Sequence, residues 1–302
     1  MKNLYISGIA GMLGSNLAYL LKDKYNVFGI DRNFIDIKGV LSEIGSIHEM
    51  EFLSQRFRDF KIDIFVHCAA LVNVDACEKD PEKAFEVNTI LTEKLSELCQ
   101  EMGIKMIFIS SDAVFGGDKQ GLYSEEEVAI PINIYGKSKL LAEKFVLNQP
   151  RNLVIRTNIY GFNYREKLSF GEWIINSLEK DLELNMADDI FFSPILVNDL
   201  INILDLCIKK DLCGLFHICG TGSISKYEIS LIFREKFGYS SKINKVNMKD
   251  IPFVAPRTKN MGLDNSKIKE ILSITIRTPI ESVDEFHRLS QYKYSEKLKK
   301  GT

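Results

Sequence analysis

Apolar residues in the first half of the chain fall into short continuous runs. Longer stretches separate them, in which apolar positions recur every three or four residues. The continuous runs are residues 4–7, 27–30, 62–67, 105–110 and 153–156, and each predicts a buried strand. The stretches at residues 15–24, 50–60, 81–102 and 135–147 carry the helical period. Asp80 and Pro81 suit the start of the third helix, since Asp caps it and Pro fits the first turn. Strands that alternate with helices predict parallel βαβ units. Their unbroken apolar character fits a sheet covered on both faces.

After about residue 158 the rhythm loosens. Helices are expected at residues 170–180 and 197–207, and a strand at 215–219. Ser225 and Glu228 have capping-box spacing ahead of a helix that runs to about residue 237. The polar tail from residue 294 is expected to fray. The division expected is a sheet domain over residues 1–158 and a smaller lobe over 159–302. Segments near 190–220 are expected to return to the sheet domain.

Gly8, Gly11 and Gly14 form a Gly-x-x-Gly-x-x-Gly loop, with Met12 and Leu13 inside it, between the first strand and the first helix. Glycines there let the backbone turn tightly and approach a pyrophosphate, whose charge meets the helix N-terminus. The fold class is therefore α/β, a Rossmann-type doubly wound parallel sheet with a smaller C-terminal substrate-binding lobe. Asp31 ends the second strand 17 residues after Gly14, near the distance for an acid on the adenosine ribose. Asp31 repels a 2′-phosphate and Arg32 attracts one, so NADH and NADPH both stay open.

Tyr135 and Lys139 stand at i and i+4, on one face of a helix. The bare spacing carries no weight, but its place does. The pair opens a helix between two strands of a dinucleotide fold, 24 residues after Ser111, where another strand ends. Ligands of open parallel sheets gather at such strand ends. Carbonyl reduction needs a hydride and a proton. A free tyrosine, at a pKa of about 10, is a sluggish proton carrier near neutrality. An ammonium ~4 Å away at an effective dielectric of ~20 favours phenolate by ~4 kcal/mol, about three pKa units. That reasoning places Tyr135 near 7, where general acid–base catalysis is effective. Lys139 also suits the nicotinamide ribose, and Ser111 the developing alkoxide.

Composition narrows the partners more than the chemistry. The 302 residues include 39 Lys+Arg against 41 Asp+Glu, for a net charge of −2, which gives no general attraction for nucleic acid or an anionic membrane. No apolar stretch is long enough to span a bilayer. Residues 1–6 run straight into a strand and a glycine loop, so no secretory leader is expected there. The six cysteines and four histidines lack metal-site spacings, so no metal is expected, and buried thiols in a reducing cytoplasm are.

Several motifs together resemble the extended short-chain dehydrogenases/reductases that act on sugar nucleotides, and within them the dTDP-4-dehydrorhamnose reductase family. Gly11–Gly14 is similar to that group's glycine loop, and His67-Cys68-Ala69-Ala70 to its segment over the cofactor. Ile109 to Phe115 resembles the stretch bearing the catalytic Ser/Thr, and Asn133 to Lys139 resembles the Tyr/Lys helix. Arg156 to Gly161 is similar to the segment that enters the substrate lobe, and Pro256 to Asp264 to the reductases' C-terminal motif. The resemblance implies NAD(P)H-dependent reduction of a 4-keto nucleotide-sugar, a precursor for surface polysaccharide. Catalysis falls to Ser111, Tyr135 and Lys139. Cofactor binding falls to Gly8, Gly11, Met12, Leu13, Gly14, Asp31, Arg32, Ala69 and Ala70, with Tyr135 and Lys139. Substrate binding falls to Ser111, Asn158 and Arg257.

Plainer readings stand beside three of these residues: a loop-capping amide for Asn158, a surface ion pair for Arg257 and a packed imidazole for His67. Asn88 is a candidate to order a turn near Lys139. Two positions depart from the family. Ala113 stands where rhamnose-type reductases carry Tyr, and residues 156–161 lack the Trp expected near the substrate. An epimerase with tightly held NAD, and a non-catalytic regulatory subunit on the same fold, are the competing readings. The partner expected is a nucleotide-diphosphate sugar, with no nucleic acid and no membrane; a homodimer is allowed.

Overall fold

The structure, a computed structural model, describes residues 1–301. The chain opens with β1 (Asn3–Ser7), α1 (Met12–Leu21), β2 (Asn26–Asp31) and β3 (Val40–Ile44). Next come α2 (Met50–Asp59), β4 (Ile64–His67), α3 (Val74–Lys79), α4 (Pro81–Phe85) and α5 (Leu91–Glu101). They lead to β5 (Lys105–Ile109), α6 (Ile134–Leu147) and β6 (Leu153–Arg156). Then follow β7 (Ile159–Tyr160), α7 (Phe170–Glu179), β8 (Leu184–Ala187), β9 (Phe191–Phe192), β10 (Ile195–Leu196), α8 (Val197–Lys209) and β11 (Gly214–His217). The last stretch holds β12 (Ile224–Ser225), α9 (Lys226–Lys236), β13 (Ile243–Val246), β14 (Asn260–Met261), α10 (Ser266–Leu272), α11 (Pro279–Gln291) and α12 (Tyr294–Lys300).

Seven strands form one sheet in the order β11-β6-β5-β4-β1-β2-β3, every pair parallel. The order runs outward in both directions from the β1–β4 pair. A ligand crevice therefore opens at the carboxyl ends of those strands. Alternate residues of β1 feed two cores. Leu4 and Ile6 pack with Leu17 of α1 and Leu200 and Leu204 of α8, while Tyr5 packs on the other face with Phe57, Leu95 and Val146. β11 comes from the second half of the chain yet pairs with β6. The lobe has its own aromatic core of Tyr160, Phe162, Phe192, Phe233 and Phe286. Phe162 and Phe286 stack there at 4.1 Å. No helix among the described residues is long and apolar enough to cross a membrane.

The structure holds α3, β8, β13, α10 and α11, which were not anticipated, and it differs from the sequence reading in four further respects. Helix α1 begins at Met12, not residue 15, because Gly14 lies inside its first turn. Strand β3 was not anticipated; it is a partly exposed edge strand without a continuous apolar run. The helical stretch from Pro81 to Glu101 is broken by a π turn at Glu86–Ile90. The tail does not fray. Leu298 is buried in the lobe core, and the Tyr294 hydroxyl donates to Asn16 Oδ1 at 2.8 Å.

Candidate active site

A cleft of about 1140 Å³ lies at the carboxyl ends of the parallel strands, with one wall from the sheet domain and the other from the lobe. It is lined by Gly8, Gly11, Met12, Leu13, Gly14, Asp31, Arg32, Ala69, Ala70, Ser111, Tyr135, Lys139, Asn158 and Arg257. One space thus brings together all the site residues expected from the sequence.

The glycine loop fits a pyrophosphate. Gly8 has φ +70°, and a Cβ there would sit 2.9 Å from Ala69 N; at Gly14 it would sit 2.2 Å from Gly8 O. Only glycine permits both approaches. The first turn of α1 holds no acidic side chain, and its amides have no intrahelical partners. Those N–H groups at the positive end of the helix suit a phosphate. Asp31 is tied to the same loop: its Oδ2 accepts from Ala10 N at 3.3 Å, while Oδ1 accepts from Asn33 N at 3.0 Å. Arg32 is exposed at the cleft.

Ser111 ends the segment after β5. Its Oγ donates to Asp112 Oδ1 at 3.0 Å and accepts from Ala113 N at 3.1 Å. Helix α6 starts at an Asn133 cap whose Oδ1 accepts from Gly136 N at 2.9 Å. A Cβ at Gly136 would lie 2.2 Å from Ala113 O, so this glycine lets α6 press against the Ser111 turn. One helical turn on, Lys139 is 2 % exposed, with Nζ 4.0 Å over the Phe108 ring. Further along α6, Glu143 accepts from Arg156 Nε at 3.0 Å and from its terminal nitrogen at 2.7 Å, and Ser110 Oγ donates to it at 2.5 Å. This buried ion pair pins α6 to β5 and β6, and so fixes where Tyr135 and Lys139 point.

The expected ionisation of Tyr135 is not what the site produces. Burial pushes the phenol up to about 12, the Ser111 hydroxyl pulls it down, and the charges of Asp112 and Cys77 push it further up. Burial brings Lys139 down to about 7, against the charges of Glu143 and Cys68. The expectation of a phenol near 7 therefore fails: desolvation outweighs any help from Lys139.

Other candidates resolve more simply. His67 is a packed imidazole, bonded to Ser7 Oγ at 2.7 Å and to Thr92 Oγ1 at 3.2 Å, and burial then the Lys139 charge lower it to about 3. Asn88, in the π turn, accepts from Leu71 N at 2.8 Å and donates to Ser138 Oγ at 3.1 Å, so it orders the segment beside α6. Asn158 lines the cleft but spends its amide on Asp112 Oδ2 at 2.6 Å. Arg257 lines it too, paired with Asp75 at 2.8 Å.

The sequence reading missed Trp173 and Lys226. Trp173, the chain's single tryptophan, lines the cleft from α7 rather than from residues 156–161. Lys226 lines it from the start of α9.

The family model described as the RmlD substrate binding domain matches residues 1–291. A dTDP-4-dehydrorhamnose reductase of Aggregatibacter actinomycetemcomitans is 28% identical over 91% of this chain and 94% of its own length. Methionine adenosyltransferase 2 subunit beta of Rattus norvegicus is also 28% identical, over 92% of this chain and 84% of its own. Among solved structures, a dTDP-4-dehydrorhamnose reductase from Bacillus anthracis in complex with NADP superposes with a TM-score of 0.85. It is 26% identical, and the match covers 95% of this chain and 99% of that one.

Proposed function

The chain belongs to the RmlD substrate binding domain family, and from that premise we propose that it is an NAD(P)H-dependent reductase of a nucleotide-diphosphate 4-keto-sugar, of the dTDP-4-dehydrorhamnose type. The observation that carries this reading is the meeting of Ser111, Tyr135 and Lys139 with the glycine loop in one cleft. The reaction is of the short-chain dehydrogenase/reductase kind. Residues 1–158 hold the cofactor, and the lobe holds the sugar nucleotide.

When bound, the reduced nicotinamide supplies a hydride to the carbonyl carbon. The chain's own residues manage the oxygen. Ser111 Oγ orients the carbonyl by hydrogen bonding, and strengthens that bond as negative charge develops. Tyr135 delivers the proton. A phenol held up at about 12 stays protonated at neutral pH, yet is acidic enough to protonate an alkoxide. Lys139, which lines the same cleft, would hold the nicotinamide ribose. We assign the activity to the cytoplasm.

Mixing the protein with NADPH or NADH and dTDP-4-dehydrorhamnose tests the reading. One cofactor oxidised per sugar reduced is expected. Isomerisation without net cofactor oxidation would establish the epimerase. No turnover with any keto-sugar nucleotide would leave the subunit role that the methionine adenosyltransferase relative carries in its name.

A further inference from the structure

Lys226 is in the wrong place for a structural lysine. It is the first residue of α9, whose Ser225–Glu228 capping box is complete. A cation at a helix N-terminus is opposed by the helix dipole. Its ammonium lies 3.2 Å from the centre of the Phe192 ring and 4.3 Å from that of Phe170, and no ion pair engages it among the described residues. Burial lowers its pKa, while the charge of Asp112 raises it.

Asp112 has the complementary problem on the other wall. It is 3 % exposed, beside Ser111, and its carboxyl group accepts hydrogen bonds from Asn158, from Ser111 and from the Ala113 backbone. Burial raises its pKa, and the charge of Lys226 lowers it. Both side chains line the cleft, one from the strand-end turn and one from the lobe, without forming an ion-pair contact. The ammonium is met only by ring faces and the carboxylate has no cationic side chain in contact, so a polar group placed between them would serve both.

We propose that Lys226 is a specificity residue for the sugar: with Asp112 it brackets one pyranose hydroxyl, which accepts from the ammonium and donates to the carboxylate. This rests on the reductase reading above. The bracket is charge-balanced, so it selects a neutral group. An anionic substituent at that point meets Asp112 in a desolvated space and is repelled. The diphosphate has other cations available: Arg165 and Lys167 line the cleft, exposed and free of ion pairs among the described residues.

Calorimetric titration with dTDP and with dTDP-glucose separates the sugar end from the diphosphate end. Lys226→Met removes a charge from a helix N-terminus, so it is expected to fold and to bind NADPH as wild type does. It should weaken dTDP-glucose by about 10- to 100-fold and leave dTDP unchanged, as for loss of a hydrogen bond to a charged group. KM for dTDP-4-dehydrorhamnose should rise by a similar factor with kcat little changed. Lys226→Met/Asp112→Asn should lose no more dTDP-glucose affinity than the worse single variant. Unchanged dTDP-glucose binding, an equal loss for dTDP, or losses that multiply in the double variant would each overturn the bracket. A wild type that binds no dTDP-glucose would overturn the functional reading and the bracket with it.

Discussion

Burial pushes the phenol of Tyr135 up to about 12 and brings the ammonium of Lys139 down to about 7. For Lys139 this is also a statement about stability. Its folded pKa lies below the unfolded value, so the folded state disfavours the charged form. The penalty is full below about pH 7 and fades as the pH rises toward the unfolded pKa of about 10.4. Lys139→Met should therefore unfold at higher denaturant than wild type at about pH 6, by roughly 2–5 kcal/mol, with the gap closing near about pH 10. A gap that stays constant across that range would show that the lysine carries no desolvation penalty. Arg32 is exposed beside Asp31 at the cleft; if it holds a 2′-phosphate, Arg32→Ala should weaken NADPH by about tenfold and leave NADH unchanged, read by cofactor titration. Equal loss for both would remove Arg32 from the 2′-phosphate. Single residues were legible where the chain order holds the geometry. Tyr135 and Lys139 share a helix face by spacing alone. The acidity of Tyr135 was not legible, because it depends on burial by segments far away in sequence. Lys226 was hidden for the same reason, since the cleft it lines is assembled from segments far apart in sequence.

Helix α6 connects those residues to the frame. It touches the Ser111 turn through Gly136, and β6 through the Glu143–Arg156 pair. Gly136→Ala places a Cβ 2.2 Å from Ala113 O, so α6 must shift off the turn that carries Ser111. The expected result is a lower melting temperature together with a drop in kcat larger than any change in NADPH affinity. Wild-type kcat in that variant would mean that the close approach is not needed. Glu143→Gln leaves the Arg156 guanidinium buried and uncompensated, and should destabilise the fold by about 3–5 kcal/mol in denaturant unfolding. Apart from β3 and the short α3, the strands and helices of the sheet domain were readable because each is a local run with its own period. The π turn at Glu86–Ile90 was not, since the apolar spacing on either side of it stays helical.

At the scale of the molecule, the lobe closes one side of the cleft and the C-terminal helix closes the lobe. The lobe was the less legible half for a physical reason. Its small sheets join two-residue strands from distant segments, as β9 does with β12 and β14, and no local period announces such pairs. Helix α12 looked like a polar tail because Tyr294 and Leu298 are its only buried side chains among many lysines. The proposed reduction of a keto-sugar nucleotide rests on the Tyr135 proton. The most direct test is the turnover of dTDP-4-dehydrorhamnose by wild type and Tyr135→Phe, with NADPH affinity measured on both. A fall in kcat of ~10²–10⁴ with NADPH binding retained is the predicted result. Turnover by Tyr135→Phe at the wild-type rate would contradict the mechanism.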